Sequence, residues 1–237
     1  MKKFRLTAAI VAMGLALMIQ PKVLFADDLQ ESICDELAEG DDGQEVRTFP
    51  LHVNPKFLGC LADDSGNLPT AVATVKKGKL NDKLCLQLEH IKPGLDFDLF
   101  TVERSNLRPD GSVDPDFKDK FNNSFGLAWY QSDIHVKGKG QNAGTGKVSI
   151  KTILVDQIFG FDPDVTLPPT NTFQVGFWFN NPDDATACGF TGFTPFNGEH
   201  HAGPLAMISV PDPQTDLGPL CFHPETDPQT GLFHCNP

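Results

Sequence analysis

The chain has 237 residues, of which 40% are hydrophobic, and its formal net charge is −12. Such a surplus of negative charge is repelled by phosphate backbones and anionic lipid headgroups, so nucleic acid and membrane surfaces are not expected as partners. The length suffices for a buried core and is compatible with one large β domain.

The first 26 residues have the pattern of a secretory signal peptide. Lys2, Lys3 and Arg5 form a positive start, an apolar run follows, and Ala26 offers a small residue at the cleavage point. The run covers residues 6–19, which is shorter than the ~20 residues of a membrane-spanning helix. We therefore predict a signal peptide over residues 1–26, a secreted or periplasmic protein, and no membrane span once the signal is removed.

Residues 27–47 form an acidic segment with nine acidic residues and one arginine, and we predict that it is partly mobile. From residue 48 onward, short alternating apolar runs are separated by Gly, Pro, Asn and Asp clusters, which is typical of strands and turns. Residues 84–104 predict an antiparallel hairpin with one face in water, and no internal repeat is visible. The other strand patterns lie at residues 70–75, 126–136, 147–156, 172–179 and 205–210.

This spacing of strands predicts an all-β fold, namely an antiparallel β-sandwich of immunoglobulin-like or Greek-key order with long loops. A closed barrel is the alternative. We assign residues 48–211 to the sandwich and residues 212–237 to a tail rich in Pro and Asp that a disulfide holds. The pattern resembles that of exported immunoglobulin-like sandwiches, and this resemblance of architecture assigns no site.

The chain has six cysteines, and all of them follow the predicted signal peptide. An even number in an oxidising compartment predicts disulfides, and no Cys-x-x-Cys pair supports a thiolate metal site. Sequence leaves the pairing open. The positions of the predicted strands favour the pairs Cys60–Cys85, Cys188–Cys221 and Cys34–Cys235.

Glu199, His200 and His201 are adjacent in a long loop, and they form the candidate site for copper or zinc. Neighbouring imidazoles can converge on one ion, and His135 on a predicted strand can add a third. The spacing matches no known ligand template, so a solvated polar loop without metal is the favoured interpretation.

Two acidic loops are candidates for calcium, which binds carboxylate and carbonyl oxygens. Neither matches the spacing of a known calcium loop, and turn formation is the favoured role of these side chains. The two sets are Asp110, Asp114, Asp116 and Asp119, and Asp156, Asp162 and Asp164.

One strand pattern places aromatic residues on both of its faces. Phe173, Val175, Phe177 and Phe179 share a face that we assign to the core, which leaves Trp178 on the opposite face with Gln174 and Gly176. Because Gly176 leaves space beside the indole, this face is a candidate platform for a small ligand. The alternative, which we favour, is that residues 180–204 fold back and bury the indole.

The sequence contains no nucleophile elbow, metalloprotease helix motif, phosphate loop or dinucleotide fingerprint. We therefore expect an exported, non-catalytic binding or structural protein whose partner is a small ligand or an extracytoplasmic protein. The alternatives are a copper- or zinc-binding protein that uses the loop with His200 and His201, and a carboxylate-dependent hydrolase.

Overall fold

The computed structural model describes residues 37, 44–78, 82–121, 124–140, 142–153, 174–194 and 202–236. This part of the chain is mostly antiparallel β-sheet, which confirms the predicted all-β class. Its strands are β1 (Val46–Val53), β2 (Thr70–Lys76), β3 (Asp82–Glu89), β4 (Asp96–Val102), β5 (Ala128–His135), β6 (Gly146–Ile153), β7 (Gln174–Phe179), β8 (Leu205–Ile208), β9 (His223–Thr226) and β10 (Phe233–Asn236). Within the described ranges the helices whose bounds are given are short: the 3-10 helices Pro55–Phe57 and Pro182–Cys188, and the α-helices Leu58–Leu61 and Phe117–Phe121. Across the described ranges, no helix has the length and apolar character needed to cross a membrane.

Strands β1 to β8 form one sheet in the order β5-β4-β7-β8-β1-β2-β3-β6, and β9 pairs with β10 separately. β1 joins two halves of the large sheet: its residues 46–51 pair with β2, whereas His52 and Val53 pair with β8. A strand that changes partners in this way lets the two halves face each other. Because all eight strands are hydrogen-bonded in one series, the strand order does not by itself establish an immunoglobulin-like sandwich.

The predicted hairpin over residues 84–104 is wrong, although both of its strands exist. β3 pairs with β2 and β6, and β4 pairs with β5 and β7. The link between them contains two residues with left-handed backbone, His90 and Gly94, and leads from one half of the sheet to the other. Alternation in a sequence reports which face a side chain occupies, and it does not report the neighbouring strand.

The main core lies between the two halves of the sheet. The rings of Phe97 and Phe177 are 4.9 Å apart, and those of Phe97 and Phe179 are 5.2 Å apart. The predicted core face of β7 is therefore confirmed for Val175, Phe177 and Phe179, while Phe173 lies outside the described residues. Across from them, the first half of the sheet contributes Ala71, Ala73, Val75, Leu84, Leu86, Leu88 and Val148.

A second apolar cluster covers the outer face of β4, β7 and β8. All six residues of β7 are buried as a result. Leu107 and Phe125, which belong to the segment between β4 and β5, supply part of the cover. The other members are Phe100, Val102, Trp178, Ala202, Leu205, Ile208 and Val210.

The disulfides join different pairs of cysteines from those that the sequence favoured. Cys60 pairs with Cys188, and Cys221 pairs with Cys235, so the predicted pairs Cys60–Cys85, Cys188–Cys221 and Cys34–Cys235 are wrong. Cys85 is also disulfide-bonded, whereas Cys34 lies outside the described residues. Cys60 and Cys188 lie on two short helices that meet beside the main core, although they are 128 residues apart in sequence.

The tail contains a repeat that the sequence analysis missed. Asp212 and Asp227 each begin the hexapeptide Asp-Pro-Gln-Thr-Asp/Gly-Leu, and each carboxylate accepts hydrogen bonds from the backbone N–H groups two and three residues later. The fifth position has a left-handed backbone in both copies, at Asp216 and Gly231. The N–H donors lower the pKa of both aspartates, so we expect both loops to lose stability as the pH falls through these lowered values.

Arg47 of β1 holds the tail against the sheet. Its Nη1 donates to the carbonyl oxygens of Pro219, at 3.0 Å, and Cys221. The guanidinium also lies 4.7 Å from the centroid of the Phe222 ring, a cation–π contact. The disulfide between Cys221 and Cys235 lies within the tail. It therefore does not connect the tail to the rest of the chain, which is the role that we predicted for a disulfide.

Candidate functional site: the edge groove

The two edge strands of the large sheet, β5 and β6, are connected through a turn whose two sides are hydrogen-bonded to each other. Lys137 N–H donates to the Thr145 carbonyl at 2.9 Å, and Gly144 N–H donates to the Lys137 carbonyl at 2.9 Å. Beside this turn lies a cavity of about 590 Å³ that we call the edge groove. Its lining residues are Gln87, Leu88, Glu89, Ser132, Asp133, His135, Lys137, Asn142, Thr145, Gly146, Lys147 and Val148.

The edge groove is lined mainly by polar side chains, with core residues beneath them. Along β3, Gln87 and Glu89 are exposed whereas Leu88 between them is buried in the main core, and Val148 on β6 is also buried. Gly146 allows the two edge strands to approach, because a Cβ there would lie 3.3 Å from the His135 carbonyl oxygen. Nine of the twelve lining residues are polar or charged, so the groove is more polar than most small-molecule sites, which are lined mainly by apolar side chains.

The groove carries charges of both signs. Glu89 and Asp133 contribute carboxylates, while Lys137 and Lys147 contribute ammonium groups. The amides of Gln87 and Asn142 add groups that both donate and accept hydrogen bonds. The hydroxyls of Ser132 and Thr145 donate to the carbonyl oxygens of Asp133 and Asn142, so they add acceptors. The lining therefore suits a polar ligand and does not select a strongly charged one.

Tyr130 stands beside the groove and is held at both ends. Its hydroxyl donates to Oδ1 of Asp133 at 2.8 Å, and its ring packs against Phe100 at a centroid distance of 5.7 Å and an interplanar angle of 74°. The residue is nevertheless 44% exposed. A rigid, partly exposed aromatic ring next to a polar groove is a common recognition element.

Tyr130 is the only tyrosine in the chain, so the ultraviolet absorbance of tyrosinate reports its ionisation alone. Partial burial, the hydrogen bond to Asp133 and the charges of Asp133 and Asp98 raise its pKa from 10.0 to about 12. The native state thus favours the neutral phenol. This contribution to stability is complete below the pKa of the tyrosine in the unfolded chain, and it is lost as the pH rises through the raised pKa of the folded protein. We expect a titration midpoint near 12 and a lower one in Asp133→Asn, with circular dichroism to confirm folding. A midpoint at the unperturbed value in the folded protein would contradict this arrangement.

The predicted metal ligands fall in two parts of the chain. His135 lies on β5 at the edge groove, and its Nδ1 is 2.5 Å from Oδ1 of Asp96 on the neighbouring strand. Glu199, His200 and His201 lie outside the described residues, so their convergence with His135 stays a prediction. Among the residues that the structure describes, no group of three or more His, Cys, Asp or Glu side chains is placed to hold a metal ion.

The aspartates of the first acidic loop act in turns and ion pairs. Oδ1 of Asp110 accepts the N–H of Ser112 at 2.9 Å and its hydroxyl at 2.6 Å, and these bonds lower the pKa of Asp110. Asp114 accepts the N–H of Asp116 at 3.1 Å and lies 3.5 Å from the Lys120 ammonium. Turn formation is the role that the sequence analysis favoured over calcium binding for this loop. Asp156, Asp162 and Asp164 lie outside the described residues.

Trp178 is only 1% exposed, so its indole presents no open ring face. Phe100 and Phe125 pack against it at centroid distances of 5.5 and 5.2 Å. The space beside Gly176 is filled as well, because a Cβ there would lie 3.0 Å from Ile208 Cγ1 and 3.2 Å from Trp178 Cζ3. The proposed platform is therefore part of the second apolar cluster.

Ala202, from the predicted covering segment 180–204, belongs to the cluster around Trp178, while residues 195–201 of that segment lie outside the described residues. Part of the cover comes from the chain between β4 and β5, whereas Phe190 packs on the main core against Phe57, and Phe193 is 61% exposed. Gln174, the third member of the platform, is buried, and its Oε1 accepts the hydroxyl of Ser209 at 2.7 Å.

One serine, histidine and aspartate come together, yet not as a catalytic triad. Nδ1 of His90 lies 3.4 Å from Ser65 Oγ and 3.8 Å from Oδ2 of Asp63, while the serine hydroxyl itself donates to Asp63. A triad places the serine and the carboxylate on different ring nitrogens. This cluster instead closes the turn at residues 63–67, since Asp63 also accepts the N–H of Ser65.

Comparisons of the chain with protein-family models, with curated proteins and with solved structures found no match. The edge groove, with its polar lining and the ring of Tyr130 beside it, is the feature of the described residues that points to a function.

Proposed function

We propose that the protein is an exported, non-catalytic binding protein that holds a small polar ligand in the edge groove. The observation that carries this proposal is the groove itself, with a volume of about 590 Å³. This volume lies within the ~300–1,000 Å³ of typical small-molecule sites. Leu88 and Val148 are almost fully buried in the main core, so the polar and charged side chains of the lining supply the surface that a ligand would contact.

The proposed location outside the cytoplasm is supported by the cysteines and by the first residues of the chain. Five of the six cysteines are disulfide-bonded in the described residues, and disulfides persist in oxidising compartments. The signal-peptide pattern of residues 1–26 agrees with secretion or export to a periplasm. A polar ligand from the surrounding medium would reach a groove that opens on the surface of such a protein.

Filling the groove tests the proposal. Gln87→Trp places an indole among the lining residues, so we expect it to abolish binding. Lys83→Trp is the matched control, because Lys83 is also exposed on β3 but does not line the groove. Saturation-transfer NMR with four probe sets, neutral saccharides, amino acids, dipeptides and small carboxylic acids, gives the readout.

We expect at least one probe set to bind both the natural protein and the Lys83→Trp variant. The same probe set is expected to give no saturation-transfer signal with Gln87→Trp. Two results would overturn the proposal. One is that none of the four sets binds at millimolar concentration, and the other is that Gln87→Trp binds as well as its control.

A further inference from the structure

A bulge in β5 indicates which class of ligand the edge groove binds, and this inference rests on the proposed function. β4 pairs with β5 in regular register from Asp96 to Leu99, and the register then shifts so that Phe100 faces Tyr130 and Gln131 is left over. Side chains of a regular strand alternate between faces. Tyr130 and Asp133 are three positions apart, so a regular strand would place them on opposite faces.

The bulge brings Tyr130 and Asp133 to one face, where the phenol donates to the carboxylate at 2.8 Å. Bulges often redirect side chains at functional sites. Gln131, the extra residue, is itself fixed, because its Nε2 donates to Thr101 Oγ1 at 2.9 Å. An exposed aromatic ring thus stands in a fixed position beside a carboxylate that lines the groove.

This combination matches the chemistry of a sugar. A pyranose ring has a face of C–H groups that packs on an aromatic ring, and hydroxyls that both donate and accept hydrogen bonds. The ring of Tyr130 can supply the first contact. The carboxylate of Asp133 accepts from hydroxyls, and the amides of Gln87 and Asn142 can donate and accept at once.

Other ligand classes fit less well. An apolar ligand would remove water from the polar side chains of the lining without replacing its hydrogen bonds, which costs free energy for each desolvated group. A strongly charged ligand would meet both carboxylates and ammonium groups, because Glu89 and Asp133 share the groove with Lys137 and Lys147. A neutral polyhydroxylated ligand can bind both kinds of group without bringing a net charge into the groove.

We infer that the ligand is a neutral saccharide whose ring packs on Tyr130 while its hydroxyls bind Asp133 and the side-chain amides of the edge groove. Such a site requires no bond to be made or broken. It also gives a role to the only tyrosine of a chain that has 19 phenylalanines.

The test uses isothermal titration of the folded protein with glucose, galactose, mannose, N-acetylglucosamine and their short oligomers. We expect at least one to bind and Tyr130→Ala to weaken that binding by about tenfold or more, because the ring contact is lost. Tyr130→Phe keeps the ring, so its loss is expected to be smaller. Phe193→Ala, which removes another exposed aromatic ring that does not line the groove, is expected to change nothing.

The outcomes separate this inference from the proposed function. If amino acids, dipeptides or carboxylic acids bind in a manner blocked by Gln87→Trp while no saccharide does, the inference fails and the proposed function stands. If a saccharide binds equally to the natural protein and Tyr130→Ala, the role of the ring is refuted. If Gln87→Trp abolishes the binding of no probe of any class, the proposed function and this inference both fail.

Discussion

Replacing Trp178 with alanine is expected to lower the free energy of unfolding by about 3–5 kcal/mol, the range for truncating a buried aromatic side chain. The indole is 1% exposed and packs against Phe100 and Phe125. It lies on β7, which is hydrogen-bonded to strands on both sides, so the backbone cannot move to close the cavity. Urea unfolding followed by circular dichroism gives the measurement.

Trp129→Ala is the matched control for this substitution, since these are the only two tryptophans in the chain. Trp129 is 50% exposed on the edge strand β5, so we expect a change of no more than ~1 kcal/mol. The same contrast is expected in fluorescence: acrylamide should quench Trp129 readily and Trp178 poorly. Equal destabilisation by the two substitutions would show that the second apolar cluster is not as described.

Removing the bond between Cys60 and Cys188, by substituting both with alanine, is expected to lower stability by about 2–5 kcal/mol. The bond closes a loop of 128 residues, and a cross-link restricts the unfolded chain more strongly when the loop is longer. It also joins the short helices Leu58–Leu61 and Pro182–Cys188 beside the main core. Urea unfolding of the double variant, purified under oxidising conditions, gives the value.

The bond between Cys221 and Cys235 provides the comparison, because it spans only 14 residues. We expect its removal to have a smaller effect, with the loss of hydrogen-exchange protection confined to the tail. If removing the Cys221–Cys235 bond destabilises the large sheet more than removing the Cys60–Cys188 bond does, the tail is not a separate hairpin.

The sequence predicted strand faces well, because alternation records which side chains are apolar. Val175, Phe177 and Phe179 lie in the main core, as their spacing indicated, and Trp178 lies on the other face. Strand partners were harder to predict, since they depend on contacts far apart in the chain. Residues 84–104 look like a hairpin locally, yet β3 and β4 belong to different halves of the sheet.

The edge groove was not foreseen for the same reason. Its walls come from β3, β5, β6 and the turn between β5 and β6, and no motif marks where the two edge strands of a sheet will meet. The bulge at Gln131 was also invisible, although it decides that Tyr130 and Asp133 share a face. The adjacent aromatics Trp129 and Tyr130 were the available signal, because regular alternation could not bury both.

The most direct test of the account is to map the binding surface by NMR. Labelled protein is titrated with pooled saccharides, amino acids, dipeptides and carboxylic acids, and the shifts of the backbone amides are followed. The account predicts that the shifts concentrate at the edge groove, around Gln87, Asp133 and Thr145. Shifts confined to another surface, such as the hairpin of β9 and β10, or no shifts at all, would contradict it.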